Sequence, residues 1–412
     1  MALRVLLTDT NRWPAPARLA IGLAKAGCHV SAVCPRHDHP LLKTSVVRQS
    51  FTYSGLRPLD SLVAAIDAVR PDIIIPSDDG GVRHLHELYA QVCRQGAAGS
   101  VIANLIERSL GAPASYPIVS SRYALLGVAR EEGIRVPGTS QARTVEYLNV
   151  LQTREKFPWV LKVDGTFGGR GVRVAQTPEI ARESFLQITR LFSMKGVFKR
   201  LILNNDPFWV RPWWNRFRPA VIVQSYIDGR PANCAVACWE GKVLAGLGVE
   251  VVSAEGLTGP ATIVRVVDNP EMMIAAERIA RRLGLSGFFG LDFMIENESG
   301  AAYLIEMNPR CTPLCHLQLG KGRDMIGALC AQLSGQLFRE TPPVTQNDLI
   351  AYFPQARSSN SELLQSCFLD IPEGEPELVQ ALLRPRPNRG LLSRLASKSY
   401  DFAKGAKTKS GG

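Results

Sequence analysis

Near the start of the chain the hydrophobic positions fall into short apolar runs separated by amphipathic stretches. Arg4-Val5-Leu6-Leu7-Thr8 is a β-rich run, 15–26 carries helical periodicity that stops at Gly27, and His29-Val30-Ser31-Ala32-Val33 is a second strand. Strand, helix, strand is a βαβ unit and therefore predicts a parallel sheet. A helix over 59–69 leads into Asp72-Ile73-Ile74-Ile75-Pro76, a buried strand whose exit carries Ser77-Asp78-Asp79-Gly80-Gly81. Ligands of open α/β sheets sit at the carboxyl ends of strands, so this turn is a candidate substrate wall; a polar turn capping the next helix fits the same residues equally well.

From about residue 116 the pattern changes to α+β. A helix over 121–133 is followed by a strand at Trp159-Val160-Leu161-Lys162-Val163, a glycine-rich turn at Asp164-Gly165-Thr166-Phe167-Gly168-Gly169-Arg170-Gly171, and a short strand at Val172-Arg173-Val174. Two strands flanking such a turn predict a hairpin whose tip can fold over a ligand. Further strands are predicted at 220–223, 235–239, 243–252, 290–296 and 301–307, with helices over 271–283 and 322–333. No internal repeat is evident.

Composition narrows the class. The chain has 412 residues, enough for two to three domains, and its 46% hydrophobic and 21% charged content excludes disorder or coiled coil for the bulk of it. No apolar run reaches the length of a membrane span and the start turns polar at Thr8-Asp9, which predicts a cytoplasmic protein. Nine cysteines without a Cys-x-x-Cys pair point to buried small hydrophobes. A thiolate metal site at Cys234/Cys238 or Cys311/Cys315 with His316 would need four converging ligands.

The formal net charge of +11 suggests a nucleic-acid binder until it is located. From residue 384 on, eight bases face only Asp401, and between 189 and 219 seven bases face only Asp206, so these two stretches carry the whole excess and the body is near neutral. Nucleic acid is therefore not an expected partner. The 384–412 stretch reads as a disordered basic tail. The 189–219 stretch interleaves its bases with Phe192, Phe198, Phe208, Trp209, Trp213, Trp214 and Phe217, a pattern that suits either a small local core with a solvated face or contact with a peripheral membrane or other anionic surface.

Three residues suggest chemistry most directly. Glu306 and Asn308 alternate on one strand and so share a face, while Asp292 lies on the preceding strand beyond the turn at Glu296-Asn297-Glu298-Ser299-Gly300. Two carboxylates and an amide oxygen suit magnesium or manganese, which take few protein ligands when substrate phosphates supply the rest. Gly168, Gly169 and Gly171 let backbone N–H groups approach phosphate oxygens, and Lys162 can set a point charge on them. Thr8-Asp9-Thr10-Asn11-Arg12-Trp13 has no glycine, which argues against a dinucleotide fingerprint after the first strand, and no G-K-[ST] follows the glycine-rich turn.

In this order, Lys162, Gly168-Gly169-Arg170-Gly171, Val221-Ile222-Val223-Gln224-Ser225-Tyr226-Ile227-Asp228-Gly229, Asp292 and Glu306-Met307-Asn308-Pro309-Arg310 resemble the ATP-grasp superfamily, nearest to its carbamoyl-phosphate-synthetase-like, carboxylate-amine ligase group. The resemblance runs from about 116 to 335. It implies a fold class of α/β N-terminal parallel-sheet (pre-ATP-grasp) domain over 1–115, followed by an α+β ATP-grasp domain over 116–340, with a lid subdomain at about 140–223, a closing segment at 341–383 and the tail. It further implies ATP and Mg2+ (or Mn2+) as cofactors, Arg122 and Lys162 on the nucleotide phosphates, and adenine held by the backbone of Gln224, Ser225, Tyr226 and Ile227. Asp292, Glu306 and Asn308 would be the metal ligands, and Arg310 the cation that steadies the transferred phosphoryl group.

Two departures stand out. Pro231 occupies the place of an acid that commonly holds the ribose, leaving Asp228 as the nearest substitute, and Cys311-Thr312-Pro313-Leu314-Cys315-His316 matches neither biotin carboxylases nor D-alanine ligases. The expected function is an ATP-dependent ligase joining a small-molecule carboxylate to an amine. The other open functions are an ATP-binding regulator without ligase activity and an anionic-surface module acting through the tail; substrates and oligomeric state, including a homo-oligomer, stay open.

Overall fold

The computed structural model describes residues 2–35, 38–164, 171–190, 220–256, 259–359 and 361–384. Gly168 and Gly169, the basic aromatic stretch from 191 to 219 and the tail from 385 lie outside the described residues. Three sheets organise the rest. The first contains β1 (Arg4–Thr8), β2 (His29–Cys34), β3 (Val47–Thr52) and β4 (Ile73–Pro76), all parallel, in the order β3-β2-β1-β4. Its inner strands are almost continuously apolar because helices cover both faces: Val5 and Leu7 pack on one side, Leu6 and Ile74 on the other. The chain reverses its winding between β1 and β4, so their carboxyl ends, Thr8-Asp9 and Pro76-Ser77-Asp78, flank the crevice of this sheet.

The second sheet, in the order β5-β8-β6-β7, joins β5 (Thr139–Ala142), β6 (Trp159–Val163), β7 (Arg173–Ala175) and β8 (Val221–Ser225) in antiparallel pairs. Trp159, Leu161, Val163, Val221 and Val223 point to one face, where Ala181, Phe185 and Ile188 of the helix Pro178–Arg190 cover them. The pairing of Leu161 with Arg173 makes β6 and β7 the expected hairpin around the glycine-rich turn.

The third sheet has seven strands: β9 (Gly229–Trp239), β10 (Lys242–Ala254), β11 (Ala261–Val267), β12 (Gly287–Glu296), β13 (Ala302–Asn308), β14 (Leu349–Tyr352) and β15 (Phe368–Asp370), ordered β13-β12-β9-β10-β11-β14-β15. All neighbours are antiparallel except β14 and β15. Alternation along β9 divides its side chains: Ala235 and Ala237 join the core shared with the first sheet and the helix Met325–Ser334, and Val236 and Cys238 join the core under the helices Arg122–Glu131 and Pro270–Leu283. The first sheet and the third therefore share one core. The sequence pattern assigns no strand to β3, β5, β11, β14 or β15; each is held in place by pairing with its neighbours in a sheet.

After β15 the helix Pro376–Leu383 returns to the first sheet's helix Ala15–Lys25, burying Leu378 and Leu382 against Ala17 and Ile21. Arg18 and His316 both grip Asp370, the latter at 2.8 Å, so the segment after 341 is tied back onto the start of the chain. The nine cysteines are free thiols; Cys234, Cys238, Cys311 and Cys315 are buried as small hydrophobes, and burial pushes each of their pKa values up. Among the described residues no helix is long and apolar enough to cross a membrane.

Candidate active site

Antiparallel pairing of β12 with β13 sets Asp292 directly opposite Glu306 and Gly290 opposite Asn308, so the acids expected to act together do face each other. A register shift follows Asp292. On its other side β12 pairs with β9, and Asp292 lies opposite Asn233. Asn233 Nδ2 donates to Asp292 Oδ1 at 2.6 Å and Asn308 Nδ2 to Asp292 Oδ2 at 3.1 Å. Burial, with the Glu306 charge next in size, pushes Asp292 up to about 6. An ionised pair held so closely has a deficit of positive charge.

Cations converge on it from three elements. Arg122 opens the helix Arg122–Glu131, whose N-cap Ser121 accepts a hydrogen bond from Ala124 N–H. A base at a helix N-terminus opposes the helix dipole, and Arg122 is balanced by two acids: Nη2 donates to Glu306 and Nη1 to Asp164 at 3.2 Å. Lys162 projects from β6 toward the same acids. It is buried, and burial followed by the Arg122 charge brings it down to about 8 although Glu306 and Asp292 pull the other way. Arg310, just beyond β13, donates through Nη2 to Asn308 Oδ1 at 2.9 Å, through Nη1 to the Cys311 carbonyl at 3.2 Å and through Nε to Asp79 Oδ1 at 3.1 Å. Burial works against its charge, but Asp79 together with its other neighbours, Cys311 and Asp78, more than offsets this.

Asp79 brings the first sheet into the site. The turn after β4 caps the next helix, Asp78 closing the N-terminus of Asp79–Cys93, while Asp79 reaches Arg310. Asp78 accepts from Gly81 N–H at 2.8 Å, Thr10 N–H at 3.0 Å, Thr10 Oγ1 at 2.6 Å and Asn11 Nδ2 at 2.9 Å, which welds the exits of β1 and β4 together. Burial and the neighbouring Asp9 nonetheless push it up to about 7.

Gln224 and Ser225 end β8, and Tyr226, Ile227 and Asp228 form its connection to β9. Gln224 is buried in β8, whereas Tyr226 and Asp228 are exposed. Ser225 N–H donates to the Gly138 carbonyl at 2.8 Å and Tyr226 N–H to the Pro158 carbonyl at 3.0 Å, so among the described residues Ile227 is the one of the first four whose N–H has no backbone partner. Pro231 sits within β9 opposite Met294. Gly171 has φ +86°, a left-handed conformation that glycine adopts without steric cost. The sequence alone marks neither Asn233 nor Asp164 as a site residue, and it marks Asp79 only as part of a candidate substrate wall. Only the sheet register and the packing of domains bring them to the acids.

The described residues contain no cluster of three or more His, Cys, Asp or Glu side chains suited to a metal. The arrangement at β12 and β13 is instead two acids and an amide, an all-oxygen donor set that suits a hard divalent cation, and the raised pKa of Asp292 marks charge such a cation would neutralise. An antiparallel sheet carrying this set is faced by a smaller sheet bearing a buried lysine and preceded by a parallel-sheet domain. Residues 119–313 match the family model described as the ATP-grasp domain, and the chain carries that domain.

Solved structures agree in fold. The biotin carboxylase domain of Hydrogenobacter thermophilus 2-oxoglutarate carboxylase, crystallised with MgADP, ADP and bicarbonate, superimposes with a TM-score of 0.58 at 16% identity, over 83% of this chain and 72% of its own. N5-carboxyaminoimidazole synthetase from Staphylococcus aureus, complexed with ADP, gives 0.56 at 13% identity over 82% and 79%. L-amino acid ligase from Bacillus licheniformis gives 0.55 at 11% over 82% and 76%. No curated protein sequence matches the chain.

Proposed function

We propose that this protein is an ATP-dependent ligase that activates a carboxylate as an acyl phosphate and joins it to an amine. The observation that carries this reading is the convergence of Arg122, Lys162 and Arg310 on the facing acids Asp292 and Glu306. Asp292, Glu306 and Asn308 would hold the magnesium, which when bound neutralises charge on the phosphates and orients them.

The chain's own residues supply the rest. Arg122 and Lys162 stand where phosphate oxygens of ATP would need cations. Ile227 offers its free N–H to adenine, and the exposed carboxylate of Asp228 is close by for the ribose, in place of an acid at Pro231. Arg310 is held at three points, so its guanidinium is already oriented toward charge that develops on the transferred group and on the tetrahedral adduct, and it need not reorganise as the reaction proceeds. The attacking amine would come from the side of Asp79, where the crevice of the first sheet opens. Phosphoryl transfer of this kind is positioning and electrostatics, and the site has that character.

The test is a screen of carboxylate and amine pairs for ADP release, with mass detection of the condensed product. ADP formation that requires both partners and yields an amide supports the ligase. Nucleotide binding without turnover across the screen would favour a regulator instead, and salt-dependent retention on anionic surfaces that is lost with residues 385–412 would favour the surface module.

A further inference from the structure

The two acids of the site are held in unlike ways. Asp292 receives neutral amides, Asn233 and Asn308, which orient a carboxylate without cancelling its charge. Glu306 receives the guanidinium of Arg122, a full positive charge on the oxygen a metal would need. The Arg122 side chain is only 8% exposed, its other arm is tied to Asp164 at the end of β6, and its buried Nε has no hydrogen-bond partner among the described residues. An arginine at a helix N-terminus with one N–H unmatched is not in its best resting environment. It is well placed to be drawn away by an anion stronger than a carboxylate.

We infer that Arg122 makes metal binding at Glu306 conditional on nucleotide. While the guanidinium lies on Glu306 a divalent cation meets like charge in a poorly solvated site; a polyphosphate that draws Arg122 off frees the carboxylate and adds oxygens of its own. The site thus discriminates for metal presented together with nucleotide and against free metal. Because coupling between two ligands is reciprocal, metal tightens nucleotide by the same factor. Among the described residues Arg122 donates to Glu306 and Lys162 does not, so the gating falls to Arg122. This inference rests on the assignment of Glu306 as a metal ligand.

The probe is Mn2+, measured by electron paramagnetic resonance on the full chain with and without ADP, independently of any turnover. Arg122→Gln should bind Mn2+ without nucleotide about tenfold or more tighter than the unmodified protein, and Glu306→Gln added to it should remove that binding. Arg122→Lys, which keeps a charge but loses the second arm, should fall between and serves if the glutamine variant does not fold. Equal nucleotide-free affinity in the unmodified protein and the Arg122 variants, with ADP-supported Mn2+ binding intact and sensitive to Glu306→Gln, would overturn the gating and leave the metal site standing. Failure of every form to bind Mn2+ even with ADP, or ADP-supported binding indifferent to Glu306→Gln, would overturn the metal assignment and the gating together.

Discussion

Replacing Lys162 by methionine should make the protein more stable and poorer at binding nucleotide. Lys162 is 7% exposed, and burial with the Arg122 charge lowers its pKa from 10.5 to about 8. That drop corresponds to about 3 kcal/mol held against the folded state whenever the ammonium is charged. The sign follows from proton counting. At pH 7 the lysine is protonated in both states and the whole cost is present. Between about pH 8 and 10.5 the unfolded chain keeps a proton that the folded chain has released, so the lysine's unfavourable contribution fades as pH rises. Methionine fills nearly the same volume without a charge. Urea unfolding of Lys162→Met should therefore show a gain of about 3 kcal/mol at pH 7 that shrinks toward pH 10, while titration with a fluorescent ADP analogue shows weakened binding. A variant no more stable than the parent at pH 7, or a difference unchanged at pH 10, would refute the account of Lys162 as a destabilising charge kept for phosphate.

Glu306→Ala should abolish ADP release in the ligation assay and leave the circular dichroism spectrum unchanged, since the side chain faces Arg122 and Asp292 and contributes little packing. Trp159 is fully buried, stacks on Phe157 at 4.1 Å and donates through Nε1 to the Lys156 carbonyl, so Trp159→Ala should cost about 3–5 kcal/mol, read as a lowered urea midpoint. Asp78→Ala removes an acceptor of four hydrogen bonds and should cost about 2–4 kcal/mol in the same measurement. Full stability in that variant would mean that the β1 and β4 exits are held by other contacts.

What the sequence determined by itself is what depends on short range. Short apolar runs and the period of 3.6 locate β1, β2, β4, β6 and the helices over 15–26, 59–69 and 121–133, and the two-residue step from Glu306 to Asn308 puts both on one face whatever surrounds the strand. The hairpin joining β12 to β13 is equally local, so the pairing of Asp292 with Glu306 follows from a short turn. Of the two readings open at Ser77-Asp78-Asp79, the helix cap is legible locally and is taken by Asp78, whereas the pairing of Asp79 with Arg310 is not.

Tertiary structure decided the company those residues keep. Asn233 reaches Asp292 from 59 positions away because β9 lies between β12 and β10, an order that no local pattern encodes. Arg122 meets Glu306 across 184 positions and Arg310 meets Asp79 across 231, contacts that exist only because two sheets and a helix share an edge. Strands β14 and β15 likewise form by pairing onto an existing sheet, too short to carry a period of their own. Burial is the deepest of these effects: a lysine in a strand is an ordinary ammonium by sequence, and the low pKa of Lys162 arises from the desolvation and the Arg122 charge that the assembled fold imposes.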